Sequence, residues 1–129
     1  IAALVHDIGH LLVPGDDAGH GRHAAAAVAD LLGERIAALV ELHVDAKRYL
    51  VTTDPAYQGV LSTTSVRTLL AQGGGMTGAE VAAFERARWS LDAVVLRQAD
   101  DAAKVPGRSV PPLMAWRPVV ELVVGDAAR

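Results

Sequence analysis

The chain has 129 residues and a formal net charge of −3, with 51% hydrophobic residues but only 4% aromatic ones. That length suits one domain with its own core, residues 1–129, and an acidic balance with no basic stripe argues against a nucleic-acid partner. The lack of cysteine excludes disulfides and thiolate metal sites, and no apolar run reaches the roughly 18 residues needed to span a membrane. With no signal peptide legible at the start, a soluble cytoplasmic protein is the expectation.

Alanine dominates the apolar content, as in AAAAVADLL, and its high helix propensity predicts an all-α fold. Residues 1–5 read as the last turns of a helix that begins upstream. Gly9 and the following LLVPGDDAGHG read as a loop, with Pro14, Gly15 and Asp16 as turn residues. A helix is predicted over 23–32, ended by Gly33. Another over 34–49 carries Ile36, Leu39, Val40 and Val44 at helical spacing. TTDPAYQG is a turn-rich connection. Ser62 can cap a helix that runs to about Ala71. QGGGM lacks the lysine and hydroxyl residue of a phosphate-binding loop and reads as a connector. Thr77 with Glu80 forms a capping box. A longer helix is expected over 89–104, stopped before Pro106, and a last one over 112–124, kinked near Pro118. No internal repeat and no strand is predicted.

The stretch VHDIGH holds two of the five histidines, one of them beside an aspartate. At a frayed helix end, His6 and Asp7 can converge on one point, and a carboxylate with two oxygens can bridge two cations. His23, His43 and Asp100 lie on later predicted helices and could complete a metal site. His20, three residues before His23, could share its face, but taken alone it reads as a surface or loop residue. Nitrogen and carboxylate donors without sulfur suit iron, manganese, zinc or nickel and do not decide among them. Singly, each residue has an ordinary explanation: the dipeptide arises by chance, a lone His43 is satisfied in a core, and Asp100 with Asp101 makes a solvated face. The conjunction of all of them is what points to metal.

Cations accompany the ligands. His43 and Lys47 are four apart on one helix, and Arg97 and Asp100 are three apart on another, so each helix supplies one ligand and one positive charge on a shared face. A small dianion beside a metal pair would be held that way. Ser65 and Thr68 could add hydroxyl donors near a helix N-terminus, and His10 could reach the cavity from its loop. Lys104 reads as a helix C-terminal charge. Arg97, set in an apolar stretch, needs a partner, which could be Asp100 or an anionic ligand.

The order HD…H…H…D resembles the HD-domain superfamily of helical metalloproteins. HDIGH, RHAAAAVADLL, LHVDAKRYL, LSTTSVRTLLAQGGGM and LRQADDAAKVPG together are similar to the HD-domain phosphonate oxygenases, mixed-valent diiron enzymes related to myo-inositol oxygenase, over residues 6–107. The resemblance implies an HD-domain helical bundle and two iron ions. His6 and Asp100 would bind the first iron, Asp7 would bridge both, and His23 and His43 would bind the second. Lys47, Ser65, Thr68 and Arg97 would hold the phosphonate, with His10 assisting at its metal-bound end, so that Asp7 and His10 count as catalytic. The implied reaction consumes dioxygen and a small 1-hydroxyphosphonate and yields phosphate and a carboxylic acid. The family pattern places a further histidine in a helix ahead of the HD pair, so the resemblance also implies a chain lacking its N-terminal helices. The family usually has glycine where Ala27 stands. Two alternatives remain open: a metal-dependent phosphohydrolase of the same superfamily, using other divalent metals to activate water, and an inactive helical fragment. No GYP motif of the cyclic-dinucleotide phosphodiesterases is present. Neither the side group of the phosphonate nor the oligomeric state is legible.

Overall fold

The computed structural model describes residues 1–129, and all its regular elements are helical. In chain order they are α1 (Ala2–Val5), α2 (Gly9–Leu12), α3 (His20–Thr53), α4 (Thr63–Ala71), α5 (Gly78–Arg86), α6 (Ser90–Ala103) and α7 (Arg117–Ala127), with 3-10 turns at Tyr57–Val60 and Leu113–Trp116. No helix is long and apolar enough to cross a membrane.

The capping signals act as read. The Ser62 side chain accepts the Ser65 backbone N–H at the start of α4. Both arms of the Thr77–Glu80 box form at the start of α5. The Glu80 carboxylate also accepts from Arg48 Nη2 at 2.7 Å, which ties α5 to α3.

Three local expectations are corrected. The segment after Gly9 is not all loop, because α2 forms first and the chain turns only from Val13 onward. The helix expected from residue 23 begins a turn earlier, at His20. Pro118 does not kink the last helix. It stands in the first turn of α7, where its missing N–H has no intrahelical partner to lose.

Gly33 does end a helix, but the next begins at once, so α3 is two helices joined at a break. Gly33 there has φ 82° and ψ 165°, a region essentially restricted to glycine. A Cβ would meet only the Ala127 side chain, at 3.5 Å, so the penalty for substitution is backbone strain and not crowding. Gly33→Ala should therefore lower unfolding free energy by about 1–3 kcal/mol, measurable by urea denaturation. An unchanged midpoint would show that the break relaxes freely.

The core is built around α3, which packs against α1, α2, α5, α6 and α7. Six of the twelve buried core residues are alanines: Ala2, Ala24, Ala25, Ala37, Ala46 and Ala93. Ala46 on α3 and Ala93 on α6 are completely buried, and both belong to the core that these two helices share. On α6, Ala93 and Leu96 face the core, and the same stripe continues one turn later into Arg97 and Asp100. On α3, Val40 is followed by His43, Ala46, Lys47 and Leu50, all buried. The apolar interface between the two helices thus runs directly into a polar one.

Candidate metal centre and anion pocket

The end of α1 delivers the first two donors. His6 Nδ1 lies 2.9 Å from the Ala3 carbonyl. His20 Nδ1 lies 2.8 Å from the Asp17 carbonyl, and His43 Nδ1 pairs with the Val40 carbonyl. A carbonyl can only accept, so each Nδ1 carries the proton and each Nε2 turns its lone pair inward.

Those lone pairs converge on Asp7. Its carboxylate lies 3.3 Å from His6 Nε2, 3.5 Å from His20 Nε2 and 3.6 Å from His43 Nε2. His20 and His43 face each other Nε2 to Nε2 at 3.0 Å. His6 Nε2 is buried, makes no hydrogen bond and has Asp100 at 3.5 Å on its other side. Acceptors aimed at one another this closely need positive charge between them, a proton or a metal cation, and imidazole with carboxylate is a donor set that iron accepts. The residues present therefore fit a metal centre. Two groups of potential ligands form, His6–Asp7–His43 and Asp7–His10–His20, and Asp7 belongs to both.

The electrostatics show the same demand for positive charge, which a proton on His6 also meets. Burial disfavours the His6 imidazolium, yet Asp100 and Asp7 outweigh it and push its pKa up to about 10. Burial likewise opposes the Asp7 anion, but the contacts with His20, His43 and His6 hold the carboxyl well below its usual range. Burial acts first on Asp100 too, and His6 and Lys104 overcome it and lower its pKa. His43, almost fully enclosed, is pushed down by burial. The cluster is thus a field that favours positive charge where the Nε2 atoms meet.

Beside it lies a cavity of about 110 Å³ whose walls include Lys47, Ser65, Thr68, Arg97, Asp100 and Lys104. Lys47 donates to Thr68 Oγ1 at 2.9 Å, and burial, then Arg97 and Lys104, push its pKa down to about 8. Arg97 Nη2 reaches Ser65 Oγ at 3.3 Å. Lys104 Nζ lies 2.7 Å from Asp100 and 3.4 Å from Ser65 Oγ. Three cations thus border one small space. His10 also lines it and stacks on His20 with ring centroids 4.0 Å apart.

The structure brings together His6, Asp7, His43, Asp100, His10, Lys47, Ser65, Thr68 and Arg97. It does not bring in His23. That ring is 38% exposed and pairs with Asp16 at 2.8 Å, while His20, only 3% exposed, occupies the inner position. The physical reason is the phase of α3. Gly9 packs directly on the His20 backbone, which fixes the face that carries His20, and the Asp16 carboxylate retains His23 at the rim. The same phase shows further along the helix: Ala24, four residues after His20, is fully buried, whereas Ala27, four after His23, is exposed. Sequence reading also missed Lys104 as a lining cation, for which its i,i+4 spacing from Asp100 was the clue, and Tyr57 and Asp101 behind Arg97.

No protein-family model matches the chain. It is 40% identical over 129 residues to hydroxymethylphosphonate dioxygenase of Gimesia maris, a match covering 93% of this chain and 64% of that one. It is 33% identical over 132 residues to the glycine-betaine-forming (1-hydroxy-2-(trimethylamino)ethyl)phosphonate dioxygenase of Leisingera caerulea, covering 96% and 67% respectively. An uncharacterized protein of Acanthamoeba polyphaga mimivirus is 38% identical over 128 residues, covering 91% of this chain and 58% of that protein. The chain therefore spans about two thirds of the length of the two dioxygenases. Identity at this level across that span, over helices whose inward face is a histidine–carboxylate cluster, places it: the chain belongs to the HD-domain phosphonate oxygenase family.

Proposed function

We propose that the chain serves an iron-dependent oxygenase that cleaves the carbon–phosphorus bond of a small 1-hydroxyphosphonate with dioxygen, giving phosphate and a carboxylic acid. The atoms balance, since one hydroxyphosphonate and one dioxygen supply all six oxygens of the two products. The observation that carries the reading is the junction of a donor-poor imidazole–carboxylate cluster with a pocket of three cations. Two iron ions bound there would activate the dioxygen.

Every other role belongs to the protein. Asp7 would bridge, with His6 and Asp100 toward one ion and His43 and His20 toward the other. Lys47, Arg97, Lys104, Ser65 and Thr68 would neutralise and orient the phosphonate oxygens, and His10 would flank the metal-bound end. The buried Lys47 and Arg97 hold their charges in a low-dielectric wall, where they act more strongly than in water and exclude solvent from the reacting carbon. The division is the general one, with the metal supplying the redox step and the protein the position and the field.

The test is stoichiometry. Oxygen uptake and phosphate release, measured on iron-loaded protein with (hydroxymethyl)phosphonate, should run one to one and stop under argon. Phosphate release without oxygen uptake would replace this reading with hydrolysis. A narrower expectation concerns Lys47→Met. Removing one hydrogen bond to a charged group costs about 1.5–3 kcal/mol, so KM for the phosphonate should rise roughly 10- to 100-fold with iron content unchanged. A fall in iron content would make Lys47 a structural element of the metal centre.

A further inference from the structure

Behind Arg97 stands a pair of residues that no part of the chemistry above uses. Tyr57, in the 3-10 turn Tyr57–Val60, is 5% exposed. Its hydroxyl donates to the Asp101 carboxylate and accepts from Arg97 Nε at 3.0 Å. Asp101, whose side chain is 3% exposed, takes the fork of the same guanidinium: Nε donates to Oδ2 at 3.0 Å, and Nη2 donates to Oδ1. Arg97 borders the cavity, whereas Tyr57 and Asp101 do not.

This arrangement decides which edge of the guanidinium is free. The planar group has five N–H donors in a fixed fork. With Nε and one side of Nη2 committed to Asp101 and Tyr57, the remaining donors point to Ser65 at 3.3 Å and to the space beside it. Arg97 Nη1 lies only 3.2 Å from Asp100. Without its fork occupied, the guanidinium would swing fully onto Asp100, which would withdraw both a cation from the anion pocket and a carboxylate from the metal cluster. Adjacent acids on α6 divide the work: Asp100 faces His6, and Asp101 faces away from the metal toward Arg97.

We infer that Tyr57 and Asp101 are positioning residues, a clamp that presents Arg97 to the phosphonate oxygens. The inference rests on the reading of the pocket as the phosphonate site, and the measurement separates the two. Inorganic phosphate is titrated calorimetrically into the full chain. Tyr57→Phe, which keeps the ring, should weaken phosphate binding roughly tenfold, equivalent to about 1.4 kcal/mol. KM for (hydroxymethyl)phosphonate should rise by a similar factor while kcat stays within about twofold, and iron content should not change. In an Arg97→Lys background the same change should alter phosphate affinity less than about twofold, because the partner it positions has gone. Equal phosphate affinity in Tyr57→Phe and the parent overturns the clamp and leaves the pocket standing, as does an undiminished loss in the Arg97→Lys background, which would make Tyr57 merely structural. Failure of the parent chain itself to bind phosphate overturns the pocket and the clamp with it.

Discussion

Asp7→Asn should strip the protein of its bound metal while leaving its helices intact. Asparagine keeps the shape of the side chain, but it replaces one oxygen with an N–H donor and removes the negative charge. In the native cluster that charge is the only one within 3.6 Å of all three inward Nε2 atoms, and it is shared by both groups of potential ligands. Loss of partners that merely orient a ligand typically costs 10–100-fold in metal affinity. Loss of a carboxylate common to both groups of ligands should exceed about 100-fold, and oxygen uptake should fall to background. Elemental analysis alongside circular dichroism separates the two components. Normal iron loading in a folded Asp7→Asn protein would remove the bridging role and, with it, the reading of a two-metal centre.

The second large effect is expected from a residue with no chemistry of its own. In Gly9→Ala the new methyl would lie 1.9 Å from the His20 carbonyl oxygen and 2.6 Å from its carbonyl carbon. Both are helix backbone and cannot rotate away. Reaching ordinary contact at 3.4 Å requires α2 and α3 to separate by roughly 1.5 Å. Overpacking of this kind costs about 1–3 kcal/mol of stability. The functional cost is larger, since His6 and Asp7 precede this contact by only two or three residues and would be displaced from His20 and His43. A misplacement of about 1 Å can cost 10²-fold in rate, so oxygen uptake should drop by about that factor even where the protein remains folded. Full activity of Gly9→Ala would mean that the HD segment is not held against α3 by this contact.

These two residues also mark how far the sequence could be read. The helical class, the cap at Ser62 and the capping box at Thr77 were legible because each is a local pattern. So was the break at Gly33, with one helix ending there and the next beginning at residue 34. Part of the grouping was legible, since spacing placed Lys47 beside His43 and Arg97 beside Asp100, and all four line the same cavity. What sequence could not decide was rotational phase. His20 and His23 sit three apart near a helix start, and which one turns inward depends on what packs on α3. That is set by Gly9, eleven residues before His20, and by Asp16 capturing His23. Tyr57 was hidden for a related reason: in a turn-rich stretch nothing local indicates that its hydroxyl meets a residue forty positions away.

The buried alanines of α3 and α6 have a bearing on all of this. An alanine has no rotamers to lose on burial and none to choose among afterwards. Ala46 and Ala93 are completely buried in the core that α3 and α6 share, and a methyl there leaves no flexible group of its own to take up slack. The functional residues one turn further along inherit that stiffness. The alignment of the histidine–carboxylate cluster therefore leans on its least reactive neighbours.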